Sequence, residues 1–208
     1  MLHVHQISYA KNNQRLLEQV SFRMKPGEII GVIGESGVGK TTFGKILGNY
    51  IRPDTGYIQL TNEKKDAYPV QVLFQHPEQS VNPKWRIKRV LEEAGPINPF
   101  LLKSFRIDEE WMERFPNQLS SGQLQRVCIV RCLLTNPSYV VADEITSMLD
   151  SISQKEIWKN LLRIAKLNNI GILVISHDRI LLEKICPTIY ELKEFQLKPI
   201  LHSTRMPL

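Results

Sequence analysis

Apolar residues follow two rhythms along this chain. Short runs rich in β-branched residues, at 29–33, 57–60, 70–74, 139–142 and 171–175, read as strands. Longer amphipathic stretches at 40–49, 123–134 and 153–168 read as helices, and in the last of these Ile157, Leu161 and Ala165 share one face. Strands alternating with crossover helices predict an α/β fold around a mainly parallel sheet. The opening differs. Residues 3–9 and 20–24 flank the polar Ala10-Lys11-Asn12-Asn13-Gln14, and Lys25-Pro26-Gly27 signals a turn, which predicts an antiparallel β layer at the N-terminal side. Between about residues 76 and 119 the β pattern is lost, and Pro77, Pro83, Pro96, Pro99 and Pro116 punctuate short helical pieces, as expected of an inserted α-helical subdomain. From Asp178 the tail reads as a helix followed by one or two strands.

Between the strand at 29–33 and the next helix stands Gly34-Glu35-Ser36-Gly37-Val38-Gly39-Lys40-Thr41-Thr42. It matches G-x-x-x-x-G-K-[ST], a loop that turns successive backbone N–H groups and a helix N-terminus toward a polyphosphate. A glycine-rich loop arising by chance would lack the strand before it and the helix after it. Lys40 is expected on the β and γ phosphates, Thr41 on Mg²⁺, and Thr42 on a further phosphate oxygen. The fold expected is a P-loop NTPase core.

A second element narrows the chemistry. Tyr139-Val140-Val141-Ala142 is an apolar run ending in the adjacent carboxylates Asp143 and Glu144. Asp143 is placed to hold Mg²⁺ through its water shell, and Glu144 to polarise an attacking water. Lysine, metal, carboxylate and aligned amides suffice for phosphoanhydride hydrolysis, which needs mainly positioning and charge stabilisation.

Leu119-Ser120-Ser121-Gly122-Gln123, followed by Leu124-Gln125-Arg126, resembles the signature of ATP-binding cassette (ABC) ATPases. The resemblance runs from about Leu2 to Leu192 with six motifs in family order. It implies that Ser120, Gly122 and Gln123 close over ATP held by a partner's P-loop, so that two ATP molecules are sandwiched in a head-to-tail dimer. It further implies that Tyr9 stacks on adenine, that Gln75 touches Mg²⁺ or water and links core to helical lobe, that Ser147-Met148-Leu149-Asp150 communicates across the dimer, and that His177 contacts the γ-phosphate. The segment Gln75-His76-Pro77-Glu78-Gln79-Ser80-Val81-Asn82-Pro83 is similar to ATPases of peptide and nickel importers. That subfamily implies a second ABC ATPase subunit (in a homo- or heterodimer), two transmembrane permease subunits and an extracellular substrate-binding protein. Two departures stand out: Ile145 replaces the proline usual after the catalytic Glu, and Ser121 replaces a glycine of the signature. Neither removes a reacting group.

Composition tests these expectations. A length of 208 residues suits one domain with a lobe, hence a single cassette over 1–208, and excludes two catalytic domains in tandem. The longest stretches free of charge, 67–77 and 167–177 among them, are about half of the ~20 apolar residues a membrane helix needs. The first residues lack the features of a signal peptide. The expected location is therefore peripheral, at the cytoplasmic face of the cell membrane. The excess of 27 Lys and Arg over 21 Asp and Glu, a net charge of +6, is spread along the chain rather than gathered into a stripe, so no nucleic-acid partner is expected. The cluster Lys84-Trp85-Arg86-Ile87-Lys88-Arg89 is expected to face the membrane partner, lipid headgroups or solvent. Cys128, Cys132 and Cys186 lie among apolar residues and read as small hydrophobes. A soluble ABC ATPase of translation or DNA repair is the alternative, but it would carry a second cassette, a long coiled coil or a zinc module. A P-loop kinase or GTPase lacks the signature and the Glu144 position.

Overall fold

The computed structural model describes residues 1–61 and 69–202. Of the expected 1–208 cassette, residues 62–68 and 203–208 lie outside the described residues. Two sheets form. Strands β1 (Leu2–Lys11), β2 (Gln14–Met24) and β4 (Thr55–Leu60) make an antiparallel sheet in the order β2-β1-β4. Strands β3 (Ile29–Ile33), β5 (Val70–Leu73), β6 (Tyr139–Asp143), β7 (Gly171–Ile175), β8 (Thr188–Lys193) and β9 (Gln196–His202) make the other, ordered β5-β6-β7-β3-β8-β9. Its first five strands run parallel, and β9 returns antiparallel beside β8.

Alternation along buried strands sends side chains to opposite faces of the larger sheet. Val140 and Ala142 of β6 join one apolar cluster, whereas Tyr139 and Val141 join the other. The second cluster also holds Leu2, Val4 and Ile7 of β1 and Phe43 and Ile46 of helix α1 (Lys40–Leu47), so α1 shares its core with both sheets. The first cluster holds α4 (Ser121–Leu134), α5 (Ser151–Asn168) and α6 (Arg179–Ile185). It continues without a break into the segment between β5 and α4, where α2 (Ile87–Glu92), α3 (Pro99–Ser104) and three 3₁₀ turns contribute Ile87, Leu91, Leu101 and Trp111. The proline-punctuated segment thus forms short helices as its sequence predicts, and it shares a core with α4 instead of having its own.

Several boundaries differ from the sequence reading for local physical reasons. The strand expected at 20–24 is the second half of β2. Gln19 (φ 48°) and Gln6 (φ 45°) are left-handed, and the β1–β2 register shifts there, so the hydrophobic phase slips and hides the first half of β2. The polar break contracts to a two-residue turn at Asn12 (φ 50°) and Asn13 (φ 62°), the positive-φ pair that matches strand twist. Helices α4 and α5 begin two residues earlier than expected, because Ser120 and Asp150 cap them. The Ser120 hydroxyl accepts from the Gln123 N–H at 3.3 Å, while Gln123 Oε1 accepts from the Ser120 N–H at 2.9 Å. Asp150 Oδ1 accepts from the N–H groups of Ile152 (3.0 Å) and Ser153 (2.9 Å).

Candidate functional site

The carboxyl ends of parallel strands are where α/β sheets bind ligands. In the order β5-β6-β7-β3 these ends carry Gln75, then Asp143 and Glu144, then His177, then the loop 34–39 leading into α1. Residues scattered over more than a hundred positions are therefore lined up along one sheet edge.

The loop is shaped by its glycines. Gly37 (φ 81°) has open space around it, so glycine is required there by backbone conformation alone. Gly39 (φ 115°) is required twice, since an added Cβ would also lie 3.0 Å from the Leu16 carbonyl oxygen. Glu35, Ser36 and Gly37 form an exposed crest, Val38 is half-buried beneath it, and Lys40 is buried at the first turn of α1. Lys40 Nζ donates to the carbonyl oxygens of Gly34 and Glu35, each at 2.8 Å. Burial lowers the Lys40 pKa, and the nearby carboxylates of Glu144 and Asp143 oppose that shift.

Asp143 is 4% exposed at the end of β6. Burial raises its pKa first of all and the Glu144 charge adds to this, while a hydrogen bond with Thr41 and the ammonium groups of Lys40 and Lys45 pull it down. Its Oδ1 is buried and has no hydrogen-bond partner among the described residues. An orphaned carboxylate oxygen beside a threonine hydroxyl is a hard-oxygen donor set that fits Mg²⁺.

Glu144 follows in the left-handed region (φ 51°), with its N–H donating to the Ile175 carbonyl at 3.0 Å. Its Oε1 lies 3.1 Å from Nδ1 of the exposed His177. The Glu144 carbonyl in turn accepts from the Ser147 hydroxyl at 2.9 Å, and that hydroxyl accepts from Gln75 Nε2 at 3.2 Å. Gln75 and Glu144 are thus joined through a residue whose contacts carry no signal in the sequence. Thr146 was equally hidden: it is buried, and its hydroxyl accepts from Gln154 Nε2 (3.0 Å) and Trp158 Nε1 (3.1 Å), which fixes the loop to α5.

The other expected residues sit apart from this edge. Tyr9 is half-buried on β1 and pairs with Leu17, next to the Leu16 carbonyl that abuts Gly39. Ser120 caps α4 and Gly122 and Gln123 lie in its first turn; Ser120 and Gln123 are occupied by their reciprocal capping bonds, and a Cβ on Gly122 would meet Leu149 Cδ2 at 3.0 Å. Among the described residues no hydrogen bond joins this turn to the loop 34–39, so the structure makes two separate groups of the expected site residues. In the basic cluster, Arg89 lies 4.2 Å over the Trp85 ring, and Arg86 pairs with Glu113 at 3.3 Å. The three cysteines are free and buried.

Known proteins resemble this chain in sequence and in fold. The family model "ABC transporter" matches residues 17–147. The nickel import system ATP-binding protein NikE of Staphylococcus aureus (strain N315) is 31% identical over 93% of this chain and 87% of its own length. Among solved structures, an ATP-binding subunit of an ABC transporter shares the fold with a TM-score of 0.83 at 24% identity, covering 95% of this chain and 88% of that one. The ATP-binding cassette MJ0796, described as a dimeric post-hydrolysis state bound to ADP and Pi, aligns with a TM-score of 0.79 at 25% identity over 95% of this chain and 96% of that one. A family match over most of the chain and a relative aligned over nearly all of it lead to the same conclusion: this chain belongs to the ABC transporter family, as one of its ATPases.

Proposed function

We propose that this chain is the ATP-hydrolysing subunit of an importer, a single cassette whose residues 76–119 form the helical subdomain. The observation that carries the catalytic part is the alignment of Gln75, Asp143, Glu144, His177 and the loop 34–39 along one sheet edge, with Glu144 and His177 in contact at 3.1 Å. In this reading, backbone amides of Gly34, Glu35, Ser36, Gly37, Val38 and Gly39, with Lys40 and Thr42, hold the phosphates, and Tyr9 stacks on adenine. Thr41, Asp143 and Gln75 would hold Mg²⁺, which neutralises developing phosphate charge when bound. Glu144 takes the proton of the attacking water, and His177 orients that water and the γ-phosphate. Ser120, Gly122 and Gln123 serve the ATP of a second cassette in a head-to-tail dimer.

The importer part rests on the NikE relative and on the resemblance of residues 75–83 to nickel and peptide importers. Nickel is the cargo favoured, with di- or oligopeptides as the competing outcome. The chain works peripherally at the cytoplasmic face, with two permease subunits and an extracellular substrate-binding protein. Among the described residues no helix is long and apolar enough to cross a membrane.

The decisive experiment is on the purified chain and on cells. Lys40→Ala is expected to lose ATP binding, and Glu144→Gln to keep it while kcat falls by about 10²–10⁴, the usual worth of a general base. Normal turnover by Glu144→Gln would overturn the assignment of the base. A strain lacking the gene is expected to lose nickel uptake and to keep peptide uptake, and the reverse result would make peptide the cargo.

A further inference from the structure

We propose that Ser147 is a positioning residue that couples the site of Gln75 to the carboxylate base Glu144, so that movement at the foot of α4 reaches the base within a single subunit. The inference rests on the ATPase reading above.

A hydroxyl has one proton to give and lone pairs to receive with, and Ser147 uses both in sequence. It accepts from Gln75 Nε2 at 3.2 Å and donates to the Glu144 carbonyl at 2.9 Å. The Ser147 N–H donates to the same carbonyl at 3.2 Å. Glu144 needs such restraint because it is a non-glycine residue at φ 51°. On its N-terminal side the peptide is tied to Ile175 O in the sheet; on its C-terminal side it is tied by Ser147. The neighbouring Thr146 is locked to α5 by Gln154 and Trp158, so the loop has one fixed hydroxyl and, next to it, one that reports on Gln75.

The far end of the link is equally specific. Gln75 is followed by the 3₁₀ turn Pro77–Ser80, which is pinned to α4: Cys128 Sγ approaches the Pro77 carbonyl at 3.7 Å, and Arg131 Nη1 donates to the Ser80 carbonyl at 3.4 Å. Arg131 is itself fixed by Glu93 at 2.8 Å. A shift of α4, the helix that begins at Ser121, therefore moves the turn, then Gln75, then the Ser147 hydroxyl, then the backbone that aims Glu144. Intermediacy in space is not coupling, so the test must measure coupling.

In the purified chain, Ser147→Ala is expected to lower kcat about tenfold, the worth of roughly one hydrogen bond, with ATP affinity unchanged within about twofold. Ser147→Thr, which keeps the hydroxyl, is expected to restore kcat to within about twofold of the parent. In a Gln75→Leu background the further loss on Ser147→Ala should shrink to about threefold, because only the hydrogen bond to the Glu144 carbonyl is left to lose. The same tenfold loss in both backgrounds would overturn the proposal, as would a Thr variant no better than Ala. Thermal unfolding of each variant separates a folding defect from a positioning one. A second readout needs no turnover: the side-chain NH₂ resonances of Gln75 should shift in Ser147→Ala and stay in Ser147→Thr. Unmoved resonances would refute the link even if the chain did not hydrolyse ATP, whereas normal turnover by Lys40→Ala and Glu144→Gln would refute the ATPase reading alone.

Discussion

Burial sets the chemistry of single residues here, and it raises the pKa of Asp143 and of the three cysteines alike. At Asp143 the Thr41 hydrogen bond and two ammonium groups oppose that shift, and at the thiols a Ser80 hydrogen bond and Arg131 oppose it for Cys128 and Arg131 alone for Cys132. Burial pushes their thiols up to about 11 and about 12, and that of Cys186 up as well. A thiol in the unfolded chain ionises near 8.5. Because the folded pKa values are the higher ones, the stability these thiols contribute is complete below the unfolded value and is lost as pH rises toward 11–12. Denaturant midpoints measured from pH 8 to 11 should therefore fall with a steeper slope in the parent than in Cys132→Ala, and equal slopes would contradict the assignment. Native thiols should also resist alkylation at pH 8 and react once unfolded. At this scale the site was partly legible. Gly34 to Thr42 are contiguous, so their shared chemistry shows in sequence, and Asp143 and Glu144 announce themselves at the end of an apolar run. Ser147 and Gln75 are 72 positions apart, and a hydrogen bond between two common polar residues leaves no periodic or compositional trace.

Elements were legible wherever burial imposed a rhythm, and they blurred where polar side chains set the ends. The apolar cores of α4 and α5 were visible, yet both helices start two residues before their apolar pattern, at caps whose hydrogen bonds go to the backbone. Strand β2 was half hidden for a related reason, since its bulge at Gln19 reverses which side chains face inward. The cap of α5 has a measurable role. Asp150 Oδ1 holds two otherwise unpaired N–H groups, and these hydrogen bonds, that of Ser153 first, keep its carboxyl below the ordinary range. Asp150→Ala is expected to lower Tm by roughly 2–4 °C, whereas Asp150→Ser, another good cap, should lose less. Since the depressed pKa favours the charged form, the stabilisation by Asp150 is present above its unfolded value and fades as pH falls through the folded one. The Tm difference between parent and Asp150→Ala should therefore narrow in acid, and a constant difference would point to packing instead of capping.

In the whole molecule, the two groups of site residues raise the question of what completes them. The loop 34–39 and the turn at Ser120 lie on different elements, with no hydrogen bond between them among the described residues, and in the proposed head-to-tail dimer each meets its counterpart on another cassette. Whether that other cassette is a second copy follows from a mixing experiment. A Lys40→Ala copy keeps its signature, and a Ser120→Arg copy keeps its P-loop; each alone should be inactive. If copies pair head-to-tail, a mixed dimer holds one site with both halves intact and one with neither. Random pairing at equal amounts makes half of the dimers mixed, so activity should return to about a quarter of the parent level. The isologous symmetry of such a dimer is what makes the two lesions fall together. If the mixture stays inactive while a different ABC ATPase restores turnover to the Ser120→Arg copy, the working unit is a heterodimer, and the departure at Ser121 then belongs to a site served by the other chain's ATP.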